Sequence, residues 1–258
     1  MKGLLFILFS AGLVVVGSTS YAVEEEDILL YYSFDKLSGK TVKDDSGNGH
    51  DGELIGKGGL VKGQFGQAIQ LNGGIVQMDN RDVISSVGKT GEITLESWIF
   101  LNDHAAYDGI ISIEAHDGGG CCEFRTMVNP GFLPFWDAGH HADKSLANFT
   151  FELKEWYHYV LVADGKDGKI YINGEFIGEQ AENFDLPEFK DVSIYIGAGE
   201  NPGVHKVEDA IIDEVVIYNK ALSEEEINES MKLSVPVVLS VQPQDKLAVK
   251  WAEIKSSR

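Results

Sequence analysis

Cysteine is nearly missing from this chain: 258 residues hold two, Cys121 and Cys122, and they are neighbours. A disulfide-stapled scaffold is thereby excluded, and so is a zinc site, which needs further Cys or His at ligand spacing. Consecutive α-carbons lie about 3.8 Å apart across a trans peptide, closer than the ~4.4 to 6.8 Å of ordinary disulfides. A bridge between these two needs a distorted peptide. The alternatives are two reduced thiols on opposite faces of a strand, or pairing with another molecule. In an exported protein with no other cysteine, a Cys121–Cys122 disulfide is the expectation.

Positive charge is also scarce. Lys and Arg number 21 against 41 Asp and Glu, for a formal charge of −20. Such a surface repels phosphate backbones and anionic lipid headgroups, which disfavours nucleic acid and membrane partners. A membrane-length apolar run is missing too. Leu4 to Val16 is almost unbroken apolar sequence, shorter than the ~20 residues that a spanning helix requires. With Lys2 before it and Ser20-Tyr21-Ala22 after it, the run makes residues 1–22 a signal peptide cleaved after Ala22. The mature chain is therefore expected to be secreted, cell-surface or periplasmic, without membrane insertion.

What is present is strand. Ile93 to Leu101, Gly109 to Ala115, Glu123 to Val128, Tyr157 to Ala163, Lys169 to Asn173, Glu175 to Glu179, Val192 to Gly197 and Ile211 to Tyr218 are short, rich in β-branched and aromatic residues, and bounded by Gly, Asp, Asn or Pro. Regular short strands predict an all-β sandwich or barrel in one domain. Asn173-Gly174 between two alternating runs predicts a two-residue hairpin turn. Trp98 and Trp156 fall within strand patterns and are expected in the core. Ser223 with Glu226 forms a capping box that opens a short helix over 223–232, with Ile227 and Met231 on its apolar side. The domain spans 23–233. Residues 234–258 form a C-terminal extension in which Leu247, Trp251 and Ile254 share one side of a possible amphipathic helix.

Four phrases identify a relationship: YYSFD from Tyr31, DDSGNGHDG from Asp44, KIYINGEFIGE from Lys169, and IIDEVVIYNKALSEEEI from Ile211. Over residues 28–231 the chain resembles the laminin G-like branch of the concanavalin A-like jelly rolls. The first and last phrases look like matched halves of one closure. The resemblance implies a two-sheet antiparallel β-sandwich with a short C-terminal helix. It leaves function open, because the same sandwich hosts lectins, adhesion modules, glycanases and inert spacers.

The resemblance also implies a structural calcium where the first strand, an Asx-rich loop and a late-strand carboxylate converge, which names Asp35, Asn48 and Asp213. Strict alternation would place Asp213 on one face with Ile211, Val215 and Ile217. A carboxylate on an apolar strand needs a partner, and the oxygens of Asp44 to Gly52 are of the kind calcium prefers. The other reading is an Asx-rich turn, with Asp213 hydrogen-bonded to backbone amides.

For ligand binding, the candidates are Glu123, Arg125, Trp136, His140, His141, Glu200 and Asn201. Aromatic, Arg, His and Asn side chains on loops are those that stack on sugar rings and hydrogen-bond hydroxyls. Glu123 and Arg125 share a strand face, where an ion pair between them is the structural alternative. The expected partner is a glycan or an extracellular protein. The alternating two-Glu, one-Asp strand of similar jelly-roll glucanases is missing, as are the GxSxG, HExxH and phosphate-loop signatures. A glycoside hydrolase or lyase with an unrecognised site, or a structural or adhesion surface protein, remains the alternative to a binding module.

Overall fold

The computed structural model of the protein describes residues 23–79, 91–104, 106–115, 123–138, 144–145, 148–181, 192–199 and 204–232. Residues 1–22, read above as a signal peptide, together with Cys121 and Cys122, His140, His141, Glu200, Asn201 and the segment from 233 onward lie outside the described residues, and of Glu123 only the backbone is described.

The first strands are β1 (Ile28–Tyr32), β2 (Leu37–Ser38), β3 (Thr41–Val42), β4 (Gly52–Ile55), β5 (Gly58–Lys62), β6 (Gln67–Leu71) and β7 (Ile75–Asp79). The middle of the chain supplies β8 (Glu92–Asp103), β9 (Asp108–Ala115), β10 (Glu123–Val128), β11 (Pro134–Ala138) and β12 (Lys144–Ser145). Then come β13 (Trp156–Asp164), β14 (Asp167–Ile172), β15 (Glu175–Ala181), β16 (Val192–Ile196), β17 (Asp209–Tyr218) and the helix α1 (Glu224–Ser230).

These strands form two antiparallel sheets. One has eight strands in the order β15-β14-β13-β8-β17-β6-β5, with β1 also pairing with β17, and the other has nine in the order β12-β11-β10-β9-β16-β7-β4-β3-β2. The first and last of the four phrases do close on each other: Tyr31 pairs with Val216 and Tyr32 with Val215. Period-two alternation fills the space between the sheets. Leu95, Ile99, Leu101, Tyr159 and Leu161 of the smaller sheet meet Ile111, Ile113, Phe124, Ile194 and Ile196 of the larger in one buried cluster.

Trp136 belongs to that cluster and is fully buried. Gly168 on the opposite sheet makes its room, since a Cβ there would come within 2.6 Å of the indole Cη2. The expectations for the tryptophans are thus partly reversed. Trp136 is a core residue, whereas Trp156 is half-buried and leans on Phe100 with ring centroids 5.5 Å apart.

Local signals resolve as the sequence indicates. Asn173 and Gly174 take φ of 53° and 79° between β14 and β15, the left-handed pair that a tight hairpin requires. Ser223 caps α1, its hydroxyl accepting from Glu226 N while Glu226 Oε2 accepts from Ser223 N at 2.8 Å. Ile227 then packs beside Val216 and Tyr218, on the side of the smaller sheet away from the main core. The helix ends at Ser230, two residues before the expected boundary.

Candidate functional site

The DDSGNGHDG loop is organised by a carboxylate. Asp44 Oδ1 accepts from Tyr31 N at 3.1 Å and Ser46 N at 3.0 Å, and its Oδ2 accepts from His50 N at 2.9 Å. Asn48 donates through Nδ2 to the carbonyls of Ile28 at 2.8 Å and Leu29 at 3.1 Å, which fastens the loop to the start of β1. This is the Asx-turn chemistry held as the alternative reading.

Asp35 and Asp213 converge elsewhere, on the turn between β5 and β6. Asp35 Oδ1 accepts from Gln67 N at 2.9 Å, and Asp213 Oδ2 accepts from Phe65 N at 3.0 Å. Gly63 and Gly66 line the turn because a Cβ on either would come 3.0 Å from the carboxyl carbon of Asp213 or Asp35 respectively. Asp213 is wholly buried. Burial pushes its carboxyl up to about 7 despite backbone N–H donors from Phe65, Glu214 and Gln64, and the charge of Asp35 adds to the rise.

A bulge puts Asp213 there. The register of β17 on β8 breaks between Asp213 and Val216, and Glu214 takes φ of 49°, an uncommon value for a non-glycine residue. Strict alternation is therefore corrected: Val215 and Ile217 face the main core, whereas Asp213 pairs with Trp98 and reaches the 63–67 turn instead. Beside it, Tyr31 donates to Glu214 Oε2 at 2.8 Å. Burial, and then the charge of Glu214, hold that phenol protonated far above its ordinary range.

The second constellation lies on the outer face of the nine-stranded sheet. Arg125 pairs with Ser112, Ser112 with Tyr195, and Tyr195 with Gln77, making one row across four strands. Two residues along, Glu123 pairs with Glu114, Glu114 with Ser193, and Ser193 with Asp79, making a second. Period-two geometry directs the side chains of Gln77, Asp79, Ser112, Glu114, Arg125, Ser193 and Tyr195 away from the core, because the intervening Phe124, Ile113, Ile194 and Met78 face inward.

Contacts within this face are close. Ser193 donates to Asp79 Oδ1 at 2.5 Å, and Gln77 Nε2 donates to both Asp79 oxygens at 3.0 Å. Arg125 Nη1 at 2.7 Å and Ser112 Oγ at 2.9 Å donate to one carbonyl, that of Gly199. Burial raises the Tyr195 phenol above its ordinary titration, the Ser193 bond opposes this, and the charges of Glu114 and Asp79 reinforce it. Arg125, Ser112, Glu114, Ser193 and Tyr195 are all buried, on the face opposite the core. The arrangement sets a guanidinium, hydroxyls and carboxylates at regular spacing, groups of the kind that donate to and accept from vicinal hydroxyls, with Gln77 half-buried and Asp79 exposed at its margin.

Of the residues named for ligand binding, Arg125 lies on this face, and the backbone of Glu123 belongs to the second row. Trp136 is removed from the set, since an indole packed against Gly168 inside the core has no face for a sugar. The sequence reading missed Gln77, Asp79, Ser112, Glu114, Ser193 and Tyr195. Their signal was available: each strand carries its two polar residues at positions i and i+2 within an apolar run, and four such pairs mark one face.

Comparison with known proteins gives a family and a fold. The family model Laminin_G_3, described as the concanavalin A-like lectin/glucanases superfamily, matches residues 72–228. No curated protein matches the chain. Among solved structures, the binding domain of Paraclostridial Mosquitocidal Protein 1 superposes with a TM-score of 0.60 at 20% identity, over 80% of this chain and 52% of that one. The binding domain of botulinum neurotoxin DC, solved in complex with SialylT, gives 0.61 at 15% identity over 81% and 52%. Domain 4 of AbnA, a GH43 extracellular arabinanase from Geobacillus stearothermophilus, solved in complex with arabinotriose, gives 0.60 at 20% identity over 80% and 98%. This chain thus spans about half of each toxin binding domain and nearly all of the arabinanase domain.

Proposed function

The chain belongs to the concanavalin A-like lectin/glucanase superfamily, and on that premise we propose that it is an exported, non-catalytic binding module whose ligand is a glycan held on the outer face of the nine-stranded sheet. The observation that carries this reading is the pair of polar rows, Gln77-Tyr195-Ser112-Arg125 and Asp79-Ser193-Glu114-Glu123. Arg125, Ser112, Ser193 and Gln77 hydrogen-bond within the protein, as buried polar groups must, and their residue types are those that bond to a ligand made of hydroxyls. The arabinanase domain and the toxin domain, similar in fold, were solved with arabinotriose and SialylT, which supports a saccharide as the ligand class.

The same reading includes a structural calcium held by Asp35 and Asp213, with carbonyls of the 63–67 turn beside them. The support is a buried carboxylate whose own burial disfavours its charge, with a second carboxylate and a glycine-lined turn next to it. A hard dication would supply the missing positive charge. Asn48, tied to Ile28 and Leu29, is left out of the ligand set. Residues 1–22 are proposed as the export signal and Cys121–Cys122 as a disulfide.

A glycan array probed with the mature chain, once with calcium and once after chelation, tests the proposal. The expected result is a coherent set of related saccharides bound in calcium and lost or weakened without it. An array blank in both conditions would turn the assignment toward a structural surface module.

A further inference from the structure

A row of side chains crosses the outer face of the eight-stranded sheet. Trp156 of β13 pairs with Phe100 of β8, Phe100 with Ile211 of β17, Ile211 with Gln70 of β6, and Gln70 with Gly59 of β5. The adjacent Ile99, Ile212 and Ile69 pack in the main core, so alternation turns the row outward. It shares no residue with the polar rows of the larger sheet or with the carboxylate pair assigned to calcium. Asp213 lies two residues along β17 and is held at the 63–67 turn.

The row has an apolar floor and a polar end. Trp156, Phe100 and Ile211 are half-buried, and the two rings are tilted by 52° with centroids 5.5 Å apart rather than stacked face to face. With strands about 4.8 Å apart, the floor from β13 to β17 is about 10 Å across. At its end, Asp209 Oδ1 accepts from Gln70 Nε2 at 2.8 Å and from Asn102 Nδ2 at 3.1 Å, and all three residues are half-buried. An amide nitrogen carries two N–H groups, so Gln70 and Asn102 each keep one. Those N–H groups, the two amide oxygens and Asp209 Oδ2 have no partner among the described residues. Nothing crowds this end, since a Cβ on Gly59 would meet no atom within 4 Å. The rim carries both signs of charge: exposed Asp103 pairs with Asp209, and exposed Lys154 donates its backbone N–H to the Leu101 carbonyl at 2.8 Å.

We propose that this row binds a neutral oligosaccharide, with the C–H faces of its rings on Trp156, Phe100 and Ile211 and adjacent hydroxyls at Gln70, Asp209 and Asn102. Aromatic rings supply the apolar contact, and a few placed polar groups fix the orientation. Hydroxyls donate and accept, which matches an end that offers both. An ammonium would leave the amide N–H groups unmatched, and an anionic sugar would meet the Asp209 carboxylate. The site is additional to the glycan face of the larger sheet and lies on the opposite side of the sandwich.

The test is calorimetric titration of the mature chain with cellotriose, xylotriose and β-1,4-galactotriose, and with the anionic trigalacturonate. At least one neutral trisaccharide is expected to bind, at least about tenfold more tightly than trigalacturonate. Trp156→Ala, Asp209→Asn and Asn102→Ala are each expected to weaken that binding at least about tenfold, or to remove one of two sites where the larger sheet takes the same sugar. Phe176→Ala, which removes an aromatic 49% exposed on the edge strand β15, is expected to change nothing. No binding of the three neutral sugars, a preference for trigalacturonate, or an equal loss in Phe176→Ala would overturn the proposal. Binding that survives all three row variants would overturn it too, and would leave the sugar to the larger sheet.

Discussion

Asp213 and His104 are buried side chains whose charge state bears on stability. A bound calcium stabilises the fold by mass action, about 2.7 kcal/mol when its concentration is a hundred times Kd. Chelation is therefore expected to lower the Tm of the wild-type chain and to leave that of Asp213→Ala where it is. Identical melting of the wild type with and without calcium would remove the metal from the account. His104 behaves differently. Its Nδ1 lies 2.5 Å from Asp108 Oδ2 and its Nε2 lies 2.7 Å from the Asn129 carbonyl, with both side chains of the ion pair almost fully buried. Burial lowers its pKa, but the bond and charge of Asp108, then Asn129 and Asp103, outweigh burial and raise it. A carbonyl and a carboxylate both demand a donor, so the ring is doubly protonated. The stabilisation is complete below the ordinary His value of about 6.5 and is lost as pH rises through the higher folded value. Urea unfolding at a series of pH values should show stability falling in that window, and His104→Gln should remove the fall. An unchanged slope in that variant would assign the dependence to another group.

At the scale of elements, the alternation of single strands was legible and its interruptions were not. The sequence shows Ile93 to Leu101, Tyr157 to Ala163 and the Asn173-Gly174 turn plainly, because period and turn chemistry are local. It does not show that Glu214 adopts a left-handed backbone. That bulge is stabilised by partners distant in sequence, Tyr31 and Phe65, and it moves Asp213 off the face that alternation predicts. Trp136 was misread for a similar reason: its neighbours in sequence suggest a loop, while its place is decided by Gly168 across the sandwich. Adding a methyl there should overpack the core by about 1 to 3 kcal/mol. Gly168→Ala is expected to lower stability by that order in denaturant titrations, with Trp136→Phe recovering part of the loss. Full stability of Gly168→Ala would mean that the indole does not lie against this strand. The capping box is a local feature read correctly, and Ser223→Ala should cost about 1 kcal/mol by the same measurement, with no effect on ligand binding.

Across the whole molecule, the pairing of β1 with β17 closes the smaller sheet, and the larger sheet keeps its outer face for polar side chains. Fold was legible at this scale because regular short strands and the resemblance carried by the four phrases point to the same sandwich, and the family model matches residues 72–228 of it. The site was less so. Arg125 was found as a residue type, but the rows that give it meaning exist only once β7, β16, β9 and β10 lie side by side in register. The central claim is that this face is where a glycan binds. Arg125→Lys keeps the positive charge but loses the planar fork of donors. The deciding measurement is calorimetry with the strongest saccharide from the array, comparing the wild type with Arg125→Lys and Tyr195→Phe at matched Tm. The account predicts that each variant loses at least about tenfold in affinity, or roughly 1.4 kcal/mol, and unchanged affinity in both would contradict it.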